Sequence, residues 1–241
     1  MRPELSVQLY SVRDHLAENP EATLQKLAEM GFGSVEAFGL PLDSSGLKKA
    51  LIESGLKVPT AHGSVVADTA ASIESALELG VQVLIEPYQP QESFQSLPEL
   101  NRLAEQLNAA AESAKGQGIS IGYHNHDHEL RNYLGGKPAL LVLAEETSPD
   151  VVFEVDLFWV QAGGENAAEI LQALGDRVVA LHAKDAAAGA GVEGQVPAGQ
   201  GDVPLLEAFA IATNARIVIE FDEYSKDCQL QHAPSTRIYG E

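Results

Sequence analysis

Cysteine is nearly absent from this chain of 241 residues: Cys228 stands alone. One thiol closes no intramolecular disulfide, so the default reading is a chain kept in a reducing cytoplasm. Basic residues are scarce as well, 15 Lys and Arg against 35 Asp and Glu, for a formal charge of −20. A nucleic-acid partner needs cations that displace phosphate counterions, whereas surplus carboxylates concentrate cations. No run approaches the ~18 apolar residues of a membrane span. The opening MRPELSVQLY also lacks the apolar stretch of an export signal. Nucleic acid and membrane drop out as expected partners. No Pro/Gly/Ser-rich linker divides the chain, and 45% of its residues are apolar. Residues 1–241 are therefore expected to build one domain around one substantial core.

What is present is alternation. Eight β-branched runs, LSVQLYS, GSVEAF, KVPTAH, VQVLIEP, ISIGYH, VVFEVD, RVVALHA and ARIVIEF, read as strands. Between them lie helical periods over 20–30, 47–54, 68–79, 98–115, 137–146, 165–174 and 203–212. The first has Asn19 as N-cap, Pro20 at its first position and Gly31 just past its end. Strands that alternate with helices eight times spell a single (β/α)₈ TIM barrel. The low-complexity stretch 186–204 falls between a strand and a helix and reads as a functional loop on the rim. The tail SKDCQLQHAPSTRIYGE is short for a full closing helix. Either the barrel is incompletely covered there, or that flank meets another subunit in a homo-oligomer.

Split by parity, the strands separate two environments. Val7, Ile121, Phe153, Val155, Leu181, Ile217 and Ile219 form an apolar set that faces the helices. Gln8, Tyr10, Glu36, Thr60, His62, Glu86, His124, Glu154, Asp156, His182, Lys184, Glu220 and Asp222 form a polar set expected in the lumen. Charges there are costly unless paired, solvated or bound to a metal, and they gather at strand C-termini, where barrels carry their chemistry. GYHNHDHEL supplies three histidines at every second position, His124, His126 and His128. The last four strand ends thus offer His124, Asp156, His182 and Glu220 as ligands of one divalent cation, with Mn, Zn, Co, Fe and Mg as candidates. The bland alternatives are a satisfied polar His182, and carboxylates of Asp156 and Glu220 that only cap the following helices.

VQLYSVRD, YHNHDHEL, FEVDLFWV, LHAKD, GQGDVP and IEFDEY together resemble the sugar phosphate isomerase/epimerase family of the xylose isomerase-like TIM-barrel superfamily, from Val7 to Tyr224. The superfamily also holds apurinic endonucleases, ketose 3-epimerases and inosose dehydratases. The resemblance implies a metal held by Glu, Asp, His and Glu from the last four strands. Asp156, His182 and Glu220 match, but His124 stands where the first Glu belongs. A symmetrical two-Glu epimerisation is thereby put in doubt, which tilts the expectation toward elimination from a keto-sugar. The endonuclease Asp-x-x-His motif would need His at Trp159, which argues against a zinc cluster acting on DNA.

The expected chemistry is that of a metal-dependent isomerase or epimerase acting through an enediolate of a ketose, keto-sugar or inosose, with a related dehydratase as the alternative. Glu220 is the candidate base, followed by Glu154, which has ligand orientation as its other role. His126 and Lys184 are candidates for proton delivery or hydroxyl recognition; Lys184 paired with Asp185 or Asp156 would instead be structural. His62, Gln8, Tyr10 and Glu36 are expected to contact a polyol, and Trp159 and Phe38 to wall a sugar face. His128 and Glu129 read as loop residues, with Glu129 a fallback ligand. A sugar-binding barrel without chemistry is the remaining reading, opposed by intact Asp156, His182 and Glu220.

Overall fold

The computed structural model describes residues 5–42 and 46–223. Its eight barrel strands are β1 (Leu5–Gln8), β2 (Ser34–Leu40), β3 (Lys57–Gly63), β4 (Val83–Glu86), β5 (Ser120–His124), β6 (Val151–Asp156), β7 (Val178–Ala183) and β8 (Arg216–Ile219). Each pairs in parallel with its sequence neighbours, and β1 pairs with β8, which closes the cylinder. A parallel sheet needs a crossover between strands, and helices supply it. The larger ones are α2 (Pro20–Glu29), α3 (Gly46–Ser54), α4 (Thr69–Leu79), α5 (Leu97–Ala114), α7 (Ala139–Glu146), α9 (Ala167–Leu174) and α10 (Leu205–Ile211). The expected cap is in place, Asn19 accepting from the Ala22 amide at 3.0 Å, and Asp68 likewise caps α4, accepting from Ala71 at 3.2 Å. Among the described residues no helix is long and apolar enough to cross a membrane.

Three helices escaped the periodicity: α1 (Arg13–Glu18), α6 (His128–Arg131) and α8 (Leu157–Ala162). At four to six residues each they are too short to display a 3.6-residue repeat. The first strand also ends early, because Gln8 Oε1 accepts from the Tyr10 amide at 3.1 Å and turns Leu9–Val12 into a 3₁₀ coil. Residues 137–138 belong to a small ribbon with Tyr133–Leu134 rather than to α7. Gly135 and Gly136, at φ +61° and +85°, make its turn. The tail 225–241, expected to be too short for a full closing helix, lies outside the described residues.

Register verifies the parity argument and corrects one member of it. Gln8 pairs with Glu36, His124 with Glu154 and Asp156 with His182, so these side chains share the lumen. Val7, Ile121, Phe153, Val155, Leu181, Ile217 and Ile219 are buried in the helix-facing core. Glu86 shares register with Tyr123, on the other face; β4 turns Val83 and Ile85 inward instead. Its carboxylate accepts from the Val66 amide and Gln89.

The rim loop after β7 is folded around one carboxylate. Residues 185–186 pair with 195–196 in a short antiparallel ribbon. Asp185 Oδ2 accepts from the amides of Gly199 at 2.7 Å and Gly201 at 2.9 Å, and Oδ1 from Val203 at 3.1 Å. Position 201 must be glycine, since a Cβ there would stand 2.3 Å from Asp185 Oδ1 and 2.6 Å from the Ala186 carbonyl oxygen. Asp185→Ala strands these donors and is expected to lower the unfolding free energy by about 2 kcal/mol. Urea titration reads the loss, with protease cutting within 187–203 as its local sign; an unchanged midpoint and cleavage pattern would refute it.

Candidate metal centre

The lumen holds four carboxylates and three imidazoles in two layers. The layers are built from residues that the strand alternation turns inward, Glu36 in the first half of β2 and the others toward the C-terminal ends of β3 and β5–β8. The lower layer contains Glu36, Glu154 and His62. His62 Nε2 lies 2.6 Å from Glu154 Oε2, His124 Nδ1 3.1 Å from the same oxygen, and His182 Nε2 3.1 Å from it. Glu36 Oε1 lies 2.6 Å from His182 Nε2 and receives Gln8 Nε2 at 2.8 Å. The upper layer faces the mouth. His182 Nδ1 lies 2.7 Å from Glu220 Oε2 and 3.8 Å from Asp156 Oδ2, and His124 Nε2 lies 3.8 Å from that same Asp156 oxygen. His124 and His182 therefore each give one nitrogen to each layer.

Asp156 caps the following helix, α8, with one oxygen and leaves the other for the lumen: Oδ1 accepts from the Trp159 amide at 3.0 Å, while Oδ2 turns inward. Asn125 fixes the strand behind it: its Oδ1 accepts from the Asp156 amide at 3.0 Å. The GYHNHDHEL stretch is thus divided by strand and turn. His124 points into the ligand layers and Asn125 pins β6. His126 reaches the mouth, and His128 opens α6 with Nε2 2.9 Å from the Gln89 carbonyl oxygen. Glu129 is turned away, accepting from the Tyr123 hydroxyl at 2.7 Å and the His126 amide at 2.9 Å, and is no ligand in this arrangement.

Lys184 is paired with Asp156, one of the two partners weighed for a structural role, and with two carboxylates more. Its ammonium, 1% exposed, lies 2.9 Å from Asp156 Oδ2, 2.8 Å from Glu220 Oε2 and 2.8 Å from Asp222 Oδ1. Burial disfavours its charge, but Asp156, Glu220 and Asp222 outweigh that and hold its pKa well above the usual lysine value. An ammonium so held balances charge and has little tendency to deliver a proton. Its partners are Asp156, Glu220 and Asp222; Asp185, the alternative, is spent on the rim loop.

The remaining groups are tuned by burial and by one another. Burial, then the nearby charge of His182, lowers the His124 pKa to about 3, so its imidazole is neutral with a lone pair to offer. Burial likewise takes His126 down to about 2. Burial raises Asp156 to about 6 despite Lys184. Glu220 is pushed up by burial but pulled further down by Lys184 and His182, and stays ionised well below the ordinary range. His182 is driven down by burial and carried well above its usual value by Glu154, Glu220 and Glu36.

The donor set fits a divalent cation. His62, His124, Glu154 and His182 converge within 4.8 Å of one another, as do Asp156, His182 and Glu220. Asp156 Oδ2 and His182 Nδ1 are buried and make no well-aligned hydrogen bond, although Lys184 and Glu220 stand near them. Two imidazoles and two carboxylates suit Zn, Mn, Co or Fe.

A cavity of about 270 Å³ opens above the upper layer, lined by His62, His124, His126, Lys184, Glu220 and Tyr10 among others. Tyr10 is 39% exposed, packed edge-on against Phe38 and covered by the Arg13 guanidinium at 4.1 Å. Gln8 and Glu36 do not line this mouth. Both are wholly buried on the far side of the His182 ring, because β1 and β2 present them one layer lower than Glu220. Trp159 lies behind His126, ring centroids 5.5 Å apart, and borders a neighbouring cavity. Tyr88, 53% exposed, stands edge-on to His126 and lines the mouth as well. It was not singled out in the sequence, where a tyrosine in PYQP carries no periodic signal.

The arrangement has relatives. No curated protein matches the sequence. A sugar phosphate isomerase/epimerase from Parabacteroides distasonis ATCC 8503 is similar in structure at 22% identity, with 99% of this chain and 93% of that one covered and a TM-score of 0.79. The IOLI protein with a bound zinc atom is similar at 14% identity over 95% of this chain and 94% of that one, with a TM-score of 0.67. A D-allulose 3-epimerase from Methylomonas sp., in complex with D-allulose, is similar at 16% identity over 91% and 84%, with a TM-score of 0.66. At these identities the likeness is one of fold. The model of the family described as xylose isomerase-like TIM barrel matches residues 24–223, which include the four carboxylates and three imidazoles of the lumen, and the chain belongs to that family.

Proposed function

We propose that the protein is a metal-dependent enzyme of the sugar isomerase or epimerase type, which takes a ketose, keto-sugar or inosose through an enediolate. One observation carries the reading: beneath an open mouth, His124 Nε2 and His182 Nδ1 each lie 3.8 Å from Asp156 Oδ2, and Glu220 Oε2 lies 2.7 Å from His182 Nδ1. These four residues would hold the cation. The zinc of the IOLI protein and the D-allulose of the Methylomonas enzyme, both on this fold, support a metal and a sugar here. When bound, a divalent ion supplies polarisation of a carbonyl and stabilisation of the enediolate oxygen.

The chain's own residues divide the rest of the work. Glu220, ionised and at the mouth, takes the proton from the carbon next to the carbonyl. Glu154 is surrounded by three imidazoles below the ligand layer, so it orients His124 and His182 and is not the base. His126 has a buried Nδ1 without a hydrogen-bond partner and a strongly depressed pKa, which makes it a neutral partner for a sugar hydroxyl. His62 and Tyr10 border the same space, and Trp159 backs His126. Lys184 neutralises the acidic ligands. Because the first family glutamate is His124, a neutral imidazole, Glu220 is the one carboxylate among the four candidate ligands that lines the mouth; Asp222, which lines it too, is held by Lys184 and Gln195. A single base that removes and returns a proton on one face suits isomerisation, or elimination if a leaving group is vicinal, better than two-base epimerisation.

Metal-replete wild-type protein is expected to hold about one divalent ion per chain, and Asp156→Ala or His182→Ala to empty the site while far-UV circular dichroism stays that of a folded barrel. Elemental analysis decides it, and a metal-free wild type would end the proposal. Glu220→Gln should abolish exchange of the α-proton of a bound keto-sugar or inosose with deuterated water, followed by NMR. Exchange at the wild-type rate would remove Glu220 from the role of base, and loss of water from the sugar would identify the dehydratase branch.

A further inference from the structure

We propose that Glu36, braced by Gln8, is a positioning residue that fixes the ring of His182 so that Nδ1 faces Asp156 and Glu220. The inference rests on the cation reading above. Sequence alternation put Glu36 and Gln8 among the sugar contacts, yet both are wholly buried on the far side of the His182 ring from the mouth. Glu36 Oε1 stands 2.6 Å from His182 Nε2, a bond between elements 146 residues apart in sequence, and Gln8 Nε2 donates to the same oxygen at 2.8 Å. A carboxylate only accepts, so the hydrogen of this bond sits on Nε2. Nδ1 carries a second hydrogen toward Glu220 Oε2 when no cation is present; a cation seated by Asp156 Oδ2 and Glu220 Oε2 would replace that hydrogen and meet the Nδ1 lone pair. A carboxylate behind a ligand histidine fixes the ring's orientation and strengthens it as a donor.

A purely structural role fits the geometry poorly. Glu36 Oε2 is buried and has no hydrogen-bond partner, so the carboxylate leaves one oxygen unpaired at a cost in free energy. A glutamine would keep the same oxygen toward Gln8 and His182 and bury less charge. If Glu36 served the fold alone, glutamine would do at least as well.

That contrast is the test. In full-length protein, Glu36→Gln should bind zinc 10- to 100-fold more weakly than wild type, measured by competition with a chromophoric chelator. Its metal-free melting temperature should be equal or higher. In zinc-loaded protein labelled with ¹⁵N-histidine, the Nε2–H resonance of His182 should move upfield as the strong acceptor is weakened. Wild-type affinity together with an unmoved resonance overturns the proposal. Should Glu36→Gln fail to fold, Gln8→Met leaves the carboxylate but removes its brace, and is expected to weaken zinc binding in the same direction; unchanged affinity there also overturns it. A wild type that takes up no zinc defeats the cation reading and this inference together, whereas zinc held equally by wild type and variant defeats only the inference.

Discussion

Burial of negative charge inside a closed cylinder is the constraint from which the rest of the site follows. Glu36, Glu154, Asp156 and Glu220 are all within the lumen, at most 6% exposed. An ionised carboxylate there is stable only against a positive or hydrogen-bonding partner. The interior therefore carries its own cations: an imidazolium at His182 and an ammonium at Lys184, each in contact with several carboxylates. The helix-facing residues of the same strands, Val7, Ile121, Phe153 and Val155, supply the apolar area that makes such a polar interior tolerable. Two faces of one sheet thus divide stability from chemistry.

The layered use of histidine follows from the same constraint. A ring buried between two planes of carboxylates has two nitrogens and can serve both. His124 and His182 do so, which ties the ligand layer to a floor of Glu154, Glu36 and Gln8. His62 completes that floor, stacked 5.3 Å from His182.

Much of this was legible in the sequence, for local reasons. Period-two alternation and β-branched composition are properties of a strand by itself, so VVFEVD could be read as β6 to the residue. Asn19 and Asp68 cap their helices through bonds that span three residues. Asp156, His182 and Glu220 were legible because a parallel barrel brings every strand's C-terminal end to one rim. What stayed hidden depends on depth and on partners remote in the chain. Parity says that Gln8 and Glu36 point inward but not that they lie beyond the His182 ring. Glu86 was placed on the wrong face because β4 is only four residues long and entered with its phase unfixed. Nothing near Lys184 announces Glu220 and Asp222 as its partners, since the contacts are made by a strand more than thirty residues later. The stretch 186–204 was read as a functional rim loop from its low complexity, which gave no hint that Asp185 organises it through amides up to 18 residues away.

Asp156 carries one more implication. The oxygen that faces the ligand layer and the oxygen that caps α8 belong to a single rigid carboxyl group. Rotation of that group to suit an ion would therefore tug on the Trp159 amide, and with it the indole behind His126. A cation at the proposed centre would thus be felt mechanically behind one wall of the opening, without any intervening loop.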